Sequence, residues 1–102
     1  MVESFGDKQT RALFGRRFVP AFSSITRPGL RKLAVLNAST CLEELRSPPA
    51  NRLEKPRGDL SGFWSIRITD QWRVIVRWDG DGPEAVRIVD YQRGKRRHER
   101  RG

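Results

Sequence analysis

Two runs of alternating residues, joined by a pair of turn formers, constrain this chain more than any other feature. From Trp64 the even positions Trp64, Ile66 and Ile68 are apolar while Ser65, Arg67 and Thr69 are polar, the period of two that a half-buried strand requires. The next run repeats the pattern. Trp72, Val74, Val76 and Trp78 fall on one side and Gln71, Arg73 and Arg77 on the other, with Ile75 the one apolar residue on the polar face. Thr69 and Asp70 lie between the runs, so the pair predicts an antiparallel hairpin. Asp79-Gly80-Asp81-Gly82-Pro83 marks a further turn, and Glu84 to Tyr91 a third strand. Its alternation breaks at Ile88-Val89, which predicts an inner strand apolar on both faces near its end, carrying Asp90 and Tyr91 out at its rim.

The residues before this sheet read as its cover. Met1 to Phe5 predict a short first strand. Asp7 is placed to cap a helix with Leu13, Phe14 and Phe18 as apolar positions, Gly15 weakening its last turn and Pro20 ending it. Ala21 to Arg27 read as loop, with Phe22 and Ile25 tucked against the body. Pro28 suits the first turn of a second helix, whose stripe is Leu30, Leu33, Ala34 and Leu36 with Arg31 and Lys32 on the other side. Thr40, with Glu43 three residues on, resembles a capping box for a last short helix through Leu45. Ser47-Pro48-Pro49 then closes the helical half. Helices followed by strands predict an α+β fold: a small antiparallel sheet with two or three helices packed on one face.

At 102 residues the chain is one domain with one modest core. Its net charge of +9 is unevenly spread: the ten residues after Gln92 hold six Lys and Arg against one acidic residue, and the body stays basic without them. A polyanionic partner, nucleic acid first among them, follows from that balance. No apolar run is long enough to span a membrane and no signal-peptide pattern opens the chain, so the expected location is the cytoplasm, without membrane contact. Cys41 is the single cysteine and sits beside Leu42 and Leu45, where a packed small hydrophobe is the expectation rather than a catalytic thiol. His98, alone in the basic tail, reads as a solvated side chain. No metal site and no cofactor is expected.

If the tryptophans face the helices, Arg67, Arg73, Arg77 and Arg87 line the open face. Arg52, Lys55 and Arg57 in the preceding segment add to it, making a surface suited to phosphate. Arginines at alternate strand positions equally describe a solvated face.

The stretches NRLEKPRGD, GFWSIRITDQWRVIVRW and VRIVDY resemble the toxins of type II toxin-antitoxin systems, of the HigB or plasmid-maintenance killer kind within the RelE superfamily. ESFGDKQTRALF and RKLAVLNASTCLEELRSPPANRLE fit as well, so the resemblance covers residues 1–92 and leaves 93–102 as a basic tail, expected to be disordered in isolation. It implies a RelE-like fold and cleavage of messenger RNA on the ribosome. It also implies neutralisation by a HigA-like helix-turn-helix antitoxin, with operator DNA met only through that antitoxin. It places Arg73 as the active-site arginine and Lys55 and Arg57 in a loop that contacts RNA. The chain departs from the pattern at two points. Its last strand ends Asp90-Tyr91-Gln92 where relatives tend to have Asp-Tyr-His, and Glu54 stands where some relatives have histidine.

RNA cleavage by side chains alone needs a base for the 2′-hydroxyl, charge for the phosphate in flight and an acid for the departing 5′-oxygen. Arginine cannot be the base at neutral pH but suits the phosphate, which favours Arg73 first and Arg57 or Arg52 second. Glu54, Asp90 and Tyr91 are the candidate proton carriers, each needing a shifted pKa. Arg67 and Arg77 join Arg52, Lys55 and Arg57 as candidate RNA contacts. For Glu54 and Asp90 an ion pair is the plain alternative, and for Tyr91 edge packing. A second function class stays open: a module of the same fold that binds RNA, ribosome or antitoxin without cutting.

Overall fold

Asp7 opens the first helix as its residue type predicts. Its Oδ1 accepts from the Thr10 N–H at 2.8 Å, the cap bond of α1 (Lys8–Phe14). The computed structural model describes residues 1–56, 58–80 and 82–90. Arg57, Tyr91, Gln92 and the basic tail therefore lie outside the described residues. After Gly15 the chain turns out of α1 through Arg16 at φ 67°. Arg16 N–H donates to Leu13 O and Arg17 N–H to Ala12 O, both at 2.9 Å, the paired bonds of a Schellman turn. That turn cuts the helical spacing short before Phe18, which was expected on the apolar side and is instead 73% exposed.

Pro20 begins a helical segment instead of ending one. The 3-10 turn Pro20–Ile25 buries Phe22 and Ile25, as expected, and runs directly into α2 (Thr26–Ala38). The buried stripe of α2 is Gly29, Leu33 and Leu36. Ala34, expected in that stripe, is exposed, and Lys32, expected opposite it, is half-buried. Gly29 permits the approach of α1: a Cβ there would stand 3.3 Å from a Leu13 methyl. The capping box also falls one residue later than expected. Glu44, not Glu43, reaches back, its Oε1 accepting from Thr40 N–H at 2.5 Å and Cys41 N–H at 3.4 Å at the head of the 3-10 turn Leu42–Arg46. The Thr40 amide is the main cause that holds the Glu44 carboxyl below its ordinary pKa, against a smaller opposing effect of desolvation. Cys41 lies outside that turn's inner side and is exposed, not packed.

The sheet is antiparallel, β1 (Trp64–Arg67), β2 (Trp72–Arg77) and β3 (Glu84–Asp90), in that spatial order. The hairpin pairs Trp64 with Val76 through Arg67 with Arg73. Between β2 and β3 the register runs from Trp72↔Asp90 to Ile75↔Arg87 and then shifts, where Ala85 takes φ 51° in an irregularity of the bulge type. The expected first strand is reduced to one parallel bridge, Phe5↔Val86, because Gly6 and Asp7 turn the chain into α1. Thr10 then takes over the edge: its buried Oγ1 accepts from Ile88 N–H at 3.0 Å. Glu54 covers the other edge through its bridge to Ser65, N–H to O at 2.9 and 2.8 Å. Neither edge is left open at these points.

The helices pack on the side of Ile66, Val74, Val76, Val86 and Ile88, closing a core with Leu13, Phe22, Ile25, Leu33, Leu36 and Leu45. Phe22 meets Trp72 edge-on, with ring centroids 5.7 Å apart. This is the α+β arrangement the element order predicts. The second face is not the open arginine surface expected of it: Ser65, Arg73 and Ile75 are all buried there, and Ile75 lies outside the main core cluster. Among the described residues no helix is long and apolar enough to cross a membrane.

Candidate nucleic-acid interface

Hairpin register places Arg67 and Arg73 directly opposite one another, so their side chains share the second face. Facing like charges are unfavourable unless answered. Each arginine has its own carboxylate. Arg67 Nη2 lies 2.6 Å from Asp70 Oδ1, across the turn that follows β1. Arg73 Nη1 lies 3.1 Å from Glu54 Oε1, which the bridge to Ser65 brings to that face. Arg73 is only 8% exposed, correcting the expectation of a solvent-facing guanidinium, while the Glu54 side chain is 45% exposed. Arg73 is therefore held from inside and reached past Glu54. Beside them Ser65 Oγ is buried and makes no hydrogen bond among the described residues.

Arg52 lies on the segment that carries Glu54. It sits in the left-handed region at φ 48°, just after the 3-10 turn Pro49–Asn51. The Arg67 hydrogen bond and charge, followed by the charges of Arg52 and Arg73, hold the Asp70 carboxyl below its ordinary pKa, with desolvation opposing. Of the predicted arginines, Arg67 holds Asp70 directly, and Arg52 and Arg73 act on it through their charge alone. The segment carrying Arg52 and Glu54 is pinned by Asn51, which is fully buried. Its Nδ2 donates to Leu45 O at 3.1 Å and Ser47 O at 3.4 Å, and its Oδ1 accepts from Lys32 Nζ on α2. Sequence reasoning missed both Asn51 and Lys32. A signal existed for Lys32: three residues after Gly29 and four before Leu36, it belongs to the buried side of α2.

Other predicted residues lie apart from this cluster. Lys55 Nζ stands 5.3 Å from the Trp64 ring centre and Arg77 Cζ 4.9 Å from that of Phe63, so both rest on aromatics at the far end of the hairpin. Asp90 pairs with Trp72, which puts it on the helix-side face rather than that of Arg73, and its Oδ2 accepts from Gln71 Nε2 at 3.1 Å. Arg87 is half-buried opposite Ile75. Among the described residues no three His, Cys, Asp or Glu side chains converge as metal ligands would.

Comparison with known proteins identifies the family of this fold. The family described as RelE-like toxin of type II toxin-antitoxin system HigB matches residues 4–92. The chain belongs to the HigB-like toxin family. Toxin HigB-1 of Vibrio cholerae serotype O1 is 44% identical over 62 residues, 61% of this chain and 63% of the relative. An uncharacterized protein of Haemophilus influenzae is 37% identical over 51 residues, half of each chain. The matches thus span less than two thirds of either relative's length.

In this HigB-like toxin the crowding of cations has a measurable consequence at Lys32. Burial first, then the charges of Arg31 and Arg67, push its pKa below the ordinary lysine value. The unfolded chain therefore binds more protons than the folded one between the two pKa values, and stability rises with pH in that window. The unfolding free energy of the wild type is expected to climb relative to that of Lys32→Gln as the pH approaches about 10.4. A pH-independent difference in guanidinium unfolding would show that Lys32 does not feel the cluster.

Proposed function

We propose that this HigB-like toxin is an endoribonuclease that cuts messenger RNA on the ribosome and so inhibits translation, with a HigA-like helix-turn-helix antitoxin as its restraint. The proposed location is the cytoplasm, and operator DNA is met only through the antitoxin. The observation that carries the reading is the facing pair Arg67 and Arg73, each held by its own carboxylate, with the Arg73–Glu54 pair open from the Glu54 side. A phosphate entering there competes with Glu54 for the Arg73 guanidinium. Arg73 then stabilises the charge that builds on the phosphorus oxygens as the 2′-oxygen attacks and the bond to the 5′-oxygen breaks. Glu54, released from Arg73, is the candidate acceptor for the 2′-hydroxyl proton, since it is the carboxylate paired with Arg73. Tyr91 is the further candidate for moving a proton in this step, and Asp90 a more remote one because it lies on the helix-side face, whereas the Gln92 amide has no group that ionises and is a candidate for a phosphate contact only. Arg52 and Arg67 hold the flanking phosphates in this reading, and Lys55, Arg57 and Arg77 extend the track.

Gln92 favours one alternative, a module that binds without cutting, because the resemblance places a histidine there. Mapping of mRNA cuts on translating ribosomes decides between them. Wild type is expected to cut only when ribosomes are present, and Gln92→His to cut about tenfold faster if the wild type lacks an efficient proton carrier. Absence of cutting by both proteins would leave the binding module.

A further inference from the structure

On the helix side of the molecule a second basic surface has no part in the cluster just described. α1 turns Thr10 and Leu13 inward and leaves Lys8, Arg11 and Gly15 outward, and these three with Arg17 and the half-buried Ala12 line an open groove of about 420 Å³. Its floor is Ala12, Gly15 and aliphatic stems, and its rim is cationic. Among the described residues, Lys8, Arg11, Arg16 and Arg17 have no carboxylate within 4.0 Å of their charged nitrogens, unlike Arg67 and Arg73. The Schellman turn sets Arg17 back against the helix end and places Arg16 where glycine is the easier residue. It also delivers Phe18, the one exposed aromatic side chain among the described residues.

We propose that this face of α1 is a second RNA-binding surface, one that takes unpaired nucleotides. Phosphates lie against Lys8, Arg11 and Arg17, and a base stacks on Phe18. Unanswered cations supply the counterion-release part of such binding, and the exposed ring of Phe18, the residue after Arg17, supplies the stacking part, which tolerates any base. An acidic peptide shares the charge complementarity, but an open groove with a shallow apolar floor gives it little to bury, whereas a flat base needs only a face. The surface lies across the sheet from Arg73, so a strand held there is not in the position to be cut. The inference rests on the reading of this toxin as a protein that acts on RNA, and the test separates the two.

The probe is a 2′-O-methyl RNA of about 12 nucleotides, which has no free 2′-hydroxyl and cannot be cleaved, followed by fluorescence anisotropy over a range of salt. The intact chain is compared with Lys8→Glu/Arg11→Glu, Phe18→Ser and Arg52→Glu, with circular dichroism to check the fold. The charge-reversed pair is expected to weaken binding about tenfold or more and to flatten the dependence of log K on log salt by about 1.4, two contacts at ~0.7 each. Phe18→Ser is expected to weaken binding about fivefold or more with the slope unchanged, because stacking releases no counterions. Unchanged affinity and slope in both α1 variants, alongside a loss in Arg52→Glu, would overturn this surface and leave the RNA reading standing. Failure of the wild type to bind the probe would overturn this surface as well, and the RNA reading itself would fall only if the wild type also left mRNA uncut on translating ribosomes. Retained RNA binding with lost binding of a polyglutamate peptide would assign the groove to an acidic protein instead. Should the charge-reversed pair not fold, the fully surface-borne Phe18→Ser carries the decision alone.

Discussion

Arg73→Ala is expected to slow mRNA cutting on translating ribosomes by about a hundredfold or more, the cost of one preorganised contact to a phosphate in flight at roughly 3 kcal/mol. The fold sets a condition on that experiment which the strand pattern did not. Arg73 is nearly buried, its stem packs under the second face, and its Nη1 holds Glu54, so the alanine variant loses packing and an ion pair together. Glu54 remains partly solvated, so the stability cost is expected at about 1–3 kcal/mol, below that of breaking a fully buried pair. Arg73→Lys separates the two effects. It keeps a cation and most of the volume but lacks the planar fork, so it is expected to unfold near the wild-type denaturant concentration while cutting far more slowly. Equal cutting by wild type and the folded Arg73→Ala protein would remove Arg73 from the chemistry.

Asn51→Ala is expected to produce the largest loss of stability of any polar substitution in the described chain, about 2–4 kcal/mol. One fully buried amide joins Leu45 O, Ser47 O and Lys32 Nζ; its removal strands the buried Leu45 O, breaks the two partly exposed bonds and leaves a cavity. For a domain of this size that corresponds to a fall in Tm of more than about 10 °C. Asn51→Asp keeps the acceptor for Lys32 but sets a carboxylate against two carbonyl oxygens, so it is expected to rescue little. A Tm shift under about 2 °C for Asn51→Ala would show that the segment carrying Arg52 and Glu54 is held by something other than this amide.

Much of the architecture was legible because it is written at short range. Trp64 to Trp78 alternate with a period only a strand satisfies, and Thr69 and Asp70 leave room for little but a hairpin. Asp7 caps α1 because its side chain reaches only the next turn. Short range also explains two near misses. Thr40 with Glu43 and Cys41 with Glu44 have the same spacing, and only the path of the chain decides which carboxylate turns back. Phe18 keeps helical spacing with Phe14, but a left-handed Arg16 intervenes, and nothing in the residue type of Arg16 announces it.

By itself, the sequence determined the sheet, its hairpin, the class of fold, the family and the excess of positive charge, since period, turn chemistry and composition are properties of neighbours along the chain. Only the tertiary structure decided which arginines act together. Alternation says that Arg67, Arg73 and Arg77 share a side, but not that this side is covered at Ser65, Arg73 and Ile75 and open at Arg77. Glu54 reaches Arg73 and Lys32 reaches Asn51 only through a bridge and a buried amide that join residues far apart in the chain. Burial and charge pairing depend on what lies across a gap, and no local pattern encodes that.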